Sequence, residues 1–134
     1  MNAETKKEGR TMLIAAILLS VCLAAVAQLI LKHGMNQVAD RSGVFSVTSG
    51  ESLRAVASTP AVWLGLVLFG LSALVWLAVL SRASLSFAYP FAALTYVLIV
   101  AFDRLALHES VPAVRWGGVA LIIAGIFLVS RGPT

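Results

Sequence analysis

Polar residues in this chain cluster at its two ends and at three breaks, and between them lie four stretches almost free of charge. Met12 to Leu31 and Ala61 to Leu80 are each about 20 residues long, which as a helix at ~1.5 Å per residue spans the ~30 Å hydrocarbon core of a bilayer. A third apolar run goes from Leu85 to Phe102, its helix expected to reach about residue 107. A fourth goes from Pro112 to Ser130, interrupted by Arg115 near its start. The pattern predicts an all-α polytopic membrane protein, a single four-helix membrane domain over residues 1–134 with spans at 12–31, 61–80, 85–107 and 112–130. Such a chain has no separate soluble domain to house an enzyme, so function must reside in helix faces, helix ends and short loops.

The connections are unequal. Lys32 to Pro60 is the one long connection, and Thr48-Ser49-Gly50-Glu51 within it has capping-box spacing ahead of Leu53, Val56 and Ala57, which share a helical face. A short interfacial helix at about 49–58 is expected. Thr59-Pro60 reads as N-cap and first helical position of the second span, and Ser110 as the cap of the fourth, with Pro112 in its first turn. The first span is longer than a signal-peptide core, lacks a small-residue cleavage site and is followed by further spans, so it is expected to be retained.

Composition changes the picture only by confirming it: 60% of residues are hydrophobic and 12% charged, with mean hydropathy +0.95, far from a soluble domain. The net charge of +4 belongs to Lys and Arg residues outside or at the edges of the spans, which fits lipid headgroups and not nucleic acid. Cys22, the single cysteine, lies mid-span and excludes an intrachain disulfide. Orientation by the positive-inside rule is a tie. Lys6, Lys7, Arg10, Arg82 and Arg131 fall on one side, and Lys32, Arg41, Arg54, Arg104 and Arg115 on the other. The basic N-terminus favours N-in and C-in, and the tie also fits a chain that inserts both ways and forms an antiparallel dimer.

Nucleotide and metal chemistry lack their motifs: there is no GxxxxGK[ST] loop, no HExxH and no CxxC, and His33 and His108 both lie at span ends. No cofactor or metal is expected. The acidic residues Glu4, Glu8, Asp40, Glu51, Asp103 and Glu109 lie outside the apolar runs or at their margins, so none is at the depth where desolvation would tune a carboxylate for proton exchange.

Polar and irregular positions within the spans carry more information. Gln28 and Lys32 share a face of the first helix, where the lysine can snorkel to the interface. Tyr89 and Pro90 sit several residues inside the third span, and the proline removes the bond to the Ser86 carbonyl. A bend lining a cavity and simple kinked packing both satisfy that feature. Tyr89, Tyr96 and Asp103 recur at heptad spacing on one face, and Arg104 and Glu109 follow at its end. In the fourth span Gly118 and Gly125 are one heptad apart and Ala120 and Ala124 four apart, a small-residue stripe that suits close helix approach within the chain or between chains; a four-helix unit this small can hardly enclose a substrate path, which favours the second.

The run from Met12 to Arg131 resembles the small four-helix members of the drug/metabolite transporter superfamily, most closely the subunits of the aminoarabinose-phosphoundecaprenol flippase. The resemblance is carried by Ala27-Gln28-Leu29-Ile30-Leu31-Lys32, Trp63-Leu64-Gly65-Leu66, Ala73-Leu74-Val75-Trp76-Leu77, Ala88-Tyr89-Pro90, His108-Glu109 and the run from Trp116 to Ile126. The related small multidrug-resistance exporters share the Gly118/Gly125 spacing, which there belongs to a dimer interface. They carry a membrane-embedded glutamate in the first helix and a tryptophan in the third, at positions that here are Ala24 and Ala92.

The resemblance implies a flippase subunit of the bacterial inner membrane, translocating an undecaprenyl-phosphate-linked sugar as a homodimer or a heterodimer with a homologous four-helix subunit. Lys32, Gln28, Tyr89, Pro90, Tyr96, Asp103, Arg104 and Glu109 are then the candidate substrate-binding residues. Gly118, Ala124 and Gly125 are the candidate dimer contacts. Two other classes stay open at this point: an exporter of small metabolites or cations, and a non-transporting membrane partner of a glycosyltransferase.

Overall fold

The computed structural model describes residues 2–133, which are almost entirely helical. Six helices follow in order: α1 (Ala3–Ser42), α2 (Gly50–Ala57), α3 (Pro60–Leu80), α4 (Leu85–Ala92), α5 (Leu94–Leu105) and α6 (Ala113–Ser130). Four lengths of helix are apolar and long enough to cross a bilayer, with α4 and α5 together making the third.

In a bilayer, helices gain little from burying apolar surface against one another, so close backbone approach and interhelical hydrogen bonds decide which faces pair. α1 and α3 meet both conditions and form the antiparallel spine of the bundle. A Cβ placed on Gly34 would lie 2.8 Å from Val62 Cγ2 and 3.0 Å from the Val62 nitrogen; one on Gly65 would lie 2.6 Å from Leu31 Cγ and 3.1 Å from the Leu31 nitrogen. Glycine suits both positions because the facing Val62 and Leu31 side chains, with their backbone nitrogens just behind, occupy the space a side chain would take. Further along the seam, Ser20 Oγ donates to the Ser72 carbonyl at 3.0 Å and Ser72 Oγ donates to the Ser20 carbonyl at 2.8 Å. This reciprocal clasp is buried and leaves no hydroxyl unsatisfied at membrane depth.

At the N-terminal end of α1, Leu13, Ile17 and Val21 gather Val79 of α3, Phe87 and Phe91 of α4 and Ile126 of α6 into one cluster. Arg10 hydrogen-bonds the carbonyl of Ser130, and that of Gly132, tying down the far end of α6. These contacts set an up-down order in which the stretch of α1 from Lys32 onward and the end of α5 that carries Asp103-Arg104 lie toward the same end of the bundle. The remaining apolar surface, including Leu64, Val67, Leu71 and Leu74 of α3, is exposed and faces lipid in a membrane.

Several boundaries differ from the sequence expectation. α1 has 40 residues, about 60 Å at ~1.5 Å each, and continues as helix to Ser42 where a connection is expected from Lys32. Val38 and Gly34 are buried in that extension, against which α2 and the start of α3 pack, so tertiary contact holds the helix beyond the apolar run. The cap of α2 is Ser49, one residue later than the Thr48 of the capping-box pattern, with its hydroxyl accepting from the Ser52 nitrogen. Thr59 does stand at the N-cap of α3, but its hydroxyl donates back to the Ala55 carbonyl at 2.7 Å. Helix α6 starts after Pro112, which is itself the N-cap, and not at Ser110. A residue preceding proline is steered away from the helical region, so Val111 cannot be part of the first turn.

Two glycines on transmembrane helices make a direct test of the spine. Gly34→Ala should destabilise the protein by ~1–3 kcal/mol through overpacking, whereas Gly70→Ala, where a Cβ meets nothing within 4 Å, should be neutral or stabilise by up to ~1 kcal/mol. Unfolding in mixed detergent micelles reads both, and equal effects at the two sites would contradict the close approach.

Candidate functional site

A cleft of about 290 Å³ opens at membrane depth beside the serine clasp, walled by α1, α3 and the junction of α4 with α5. Three successive turns of α1 contribute Ser20, Ala24 and Gln28, which share a face because they are spaced by four. α3 contributes Phe69, Ser72, Ala73 and Trp76, and the third wall is Ala92 and Thr95. None of these side chains is ionisable. The wall offers the Gln28 amide, the Thr95 hydroxyl, the Trp76 indole N–H and the serine oxygens among apolar surfaces.

The third wall exists because the third transmembrane segment is broken there. Pro90, within α4, cannot donate a backbone hydrogen bond, and the helix gives way three residues later at Ala93. Ala93 takes a tightened turn, its N–H donating to the Pro90 carbonyl at 3.1 Å while its own carbonyl accepts from Tyr96 at 3.1 Å. The break is therefore a hydrogen-bonded irregularity next to a cavity, the condition under which non-helical backbone is tolerated in a membrane. Ala92 and Thr95 flank it and face the cleft.

Of the residues singled out in the sequence, Gln28 lines the cleft. Tyr89 stands next to its wall, packing edge-on against Trp76 with ring centroids 6.1 Å apart, while the rest of its ring is exposed. Pro90 is half-buried and Tyr96 exposed. Lys32 is exposed one turn beyond Gln28, so the row Ser20, Ala24, Gln28, Lys32 runs from the clasp to the end of the bundle. Asp103, half-buried, and Glu109 are joined through the backbone, the Glu109 N–H donating to the Asp103 carbonyl at 3.1 Å. The intervening turn holds His108 at φ 52°, in the left-handed region that few non-glycine residues adopt. Arg104 is exposed at the same end.

The stripe on α6 is not consumed by packing within the chain. A Cβ at Gly118 or Gly125 would meet nothing within 4 Å, Ala124 is exposed, and only 6% of the most apolar stretch of α6 is buried. Gly65, by contrast, serves the internal α1–α3 seam.

Sequence reasoning missed Ser20, Ser72, Trp76 and Thr95 as wall residues. A signal existed: Ser72 is the one hydroxyl residue inside α3, and Ser20 is two turns before Gln28 on the same face. The two positions that distinguish this chain from the drug exporters, Ala24 and Ala92, both line the cleft.

Four transmembrane segments, three of which wall a neutral intramembrane cleft, define a small polytopic membrane protein of the transporter kind. The chain is 36% identical to the probable 4-amino-4-deoxy-L-arabinose-phosphoundecaprenol flippase subunit ArnE of Pseudomonas savastanoi pv. phaseolicola, over 90% of this chain and 95% of that protein. It is 34% identical to the corresponding ArnE of Pseudomonas syringae pv. syringae, over 89% and 98%, and 40% identical to the probable flippase subunit ArnF of Erwinia tasmaniensis, over 82% and 87%. The protein belongs to this family of aminoarabinose-phosphoundecaprenol flippase subunits. No protein-family profile matches the chain, and no solved structure does.

Proposed function

We propose that this protein is a subunit of a flippase that carries an undecaprenyl-phosphate-linked sugar across the bacterial inner membrane, and that it is a transporter without catalytic activity. The observation that carries the reading is the neutral cleft at membrane depth in a chain whose relatives, named as such flippase subunits, match it over nearly its whole length. A lipid-linked sugar needs a polar passage for its headgroup while the polyprenyl tail remains in lipid, since unsolvated polar groups are costly in hydrocarbon. The cleft offers hydrogen-bonding groups without a buried charge to trap the headgroup.

In this reading the lipid phosphate is attracted by Lys32 and Arg104 at one mouth. Asp103 or Glu109 pairs with those cations when substrate is absent and keeps ordinary anionic lipids from occupying the site. Tyr89, Pro90 and Tyr96 border the path along the broken third segment. The outward small-residue face of α6 at Gly118, Ala124 and Gly125 supports pairing with a second copy or with a homologous subunit. Opposite orientation of the two members would present a mouth of this kind to each leaflet, which the equal distribution of Lys and Arg permits.

Reconstituted in proteoliposomes with its partner, the protein should move a fluorescent polyprenyl-phosphate sugar between leaflets whether or not a proton gradient is imposed. Lys32→Ala should weaken lipid binding about fivefold, the equivalent of ~1 kcal/mol per interfacial cation, with unchanged membrane abundance. Arg41→Ala, farther along the same helix, should not. Equal behaviour of the two variants removes Lys32 from the site, and absence of flipping under every gradient removes the transporter reading.

The pairing surface has its own test. Gly118→Leu and Gly125→Leu place bulk where helix backbones must approach, at a cost of ~1–3 kcal/mol, and should reduce crosslinked dimer in native membranes. Undiminished dimer in both variants would contradict pairing through α6.

A further inference from the structure

We infer that Arg10 is a second binding site for the lipid phosphate, at the membrane face opposite Lys32, and that its hold on the end of α6 is a latch which the phosphate undoes. The inference rests on the flippase reading and extends it to the face where the path is shut. At ~100° per residue, Arg10, Ile17, Val21, Ala24, Gln28 and Lys32 fall within about 40° of one line along α1. Arg10 and Lys32 stand about six turns apart on that line, about 33 Å at ~1.5 Å per residue, close to the ~30 Å of the hydrocarbon core. One face of one helix thus carries a cation at each interface. What lies between them is unequal. From Lys32 inward the face is open: Lys32 and Gln28 are exposed, and Ala24 is half-buried in the cleft wall. From Arg10 inward it is shut, since Ile17 and Val21, 0% and 3% exposed, are packed in one cluster with Phe87 and Phe91 of α4 and Ile126 of α6. A headgroup in the cleft has one way out in this conformation, and a flippase needs two.

Arg10 stands where the second mouth must open. It is the first residue of α1 that is not exposed, and its guanidinium donates through Nη2 to the carbonyls of Ser130 and Gly132 at the end of α6. A cation there suits the unpaired carbonyls and the negative end of the helix dipole. A phosphate is the stronger partner, because it receives the planar fork through two parallel charge-assisted bonds, each about twice as strong as a bond to a neutral acceptor. It is also repelled by the carbonyl end of α6, so the guanidinium serves one or the other. Lys6, one turn before Arg10, adds a second cation on the same side of α1, whereas Glu4 and Glu8 lie on the other side. Arg131 is engaged over the ring of Phe127, 4.5 Å from its centroid. Once Arg10 turns to phosphate, the last turn of α6 loses its tie to α1. Ile126, about one turn back, is then free to leave the cluster and open the shut half of the face.

The test reads the closure itself. With Cys22→Ala removing the single cysteine, Ile126→Cys reports how fast a water-soluble maleimide reaches position 126 of the full-length protein in zwitterionic nanodiscs. A short-chain polyprenyl-phosphate sugar should raise that rate about fivefold, and phosphatidylglycerol or inorganic phosphate should not. Arg10→Gln still donates to the α6 carbonyls but carries no charge for a phosphate, so the slow basal rate should stay and the response to lipid should vanish. Arg10→Lys, which keeps the charge, should retain at least a twofold rise. Arg82→Gln, which removes an exposed cation at the same end, should respond in full. A rise that survives Arg10→Gln reduces Arg10 to a structural tie and overturns the inference. An equal rise with phosphatidylglycerol or inorganic phosphate, loss of the response in Arg82→Gln, or no rise at all while fluorescent polyprenyl phosphate still binds overturns it as well. Each of these leaves the Lys32 mouth and the flippase reading standing. If fluorescent polyprenyl phosphate does not bind the unaltered protein, the flippase reading falls and takes this inference with it.

Discussion

Contact between α1 and α3 is the constraint on which the rest of the molecule depends. In lipid there is no solvent to drive apolar faces together, so the pair is held by what only this seam provides: two glycines that let backbones meet and two serines that satisfy each other's carbonyls. Because those contacts recur along most of α3, they fix the antiparallel register of the two helices. The cleft then follows, since Ser20 and Ser72 are at once members of the clasp and part of its wall.

Against that rigid spine the third segment is irregular and the fourth loosely attached. Pro90 removes one donor, and the backbone recovers through bonds of shorter span at Ala93, which places Ala92 and Thr95 on the open side. α6 is tied to the N-terminal half of the bundle by Ile126 and by Arg10, while its glycines face outward. A unit with one firm seam and one uncovered helix is suited to a subunit whose remaining wall comes from a partner. The same arrangement explains how a chain this short serves a bulky lipid headgroup without enclosing it.

How much of this was legible in the sequence depended on the kind of force involved. Four apolar runs long enough to cross a membrane gave the class, because bilayer thickness imposes a length that no other environment requires. Family resemblance rested on motifs such as Ala27 to Lys32, and the relatives bear it out. Hydropathy stopped at Lys32 where the helix did not, since Val38 is held by packing against neighbouring elements and local pattern says nothing of that. Pro90 marked the irregular segment, yet the tightened turn lies at Ala93, after the proline, whereas the carbonyl that the missing donor leaves free is that of Ser86, a turn before it. Gln28 stood out as a polar residue in an apolar run. The serine clasp escaped notice because either serine alone looks like an ordinary small residue, and only the antiparallel register brings them together.

The central claim is that the headgroup of the lipid travels through the cleft between α1, α3 and the broken third segment. A photoreactive residue at Ala73, exposed in the cleft wall, compared with one at Leu74, exposed on the outer face of α3, tests it most directly. On irradiation in membranes with a polyprenyl-phosphate sugar radiolabelled in the ring, position 73 should take up label that excess unlabelled lipid competes away, and position 74 little. Equal labelling at both positions, insensitive to competitor, would mean that the lipid merely surrounds the protein and that the cleft is not its path.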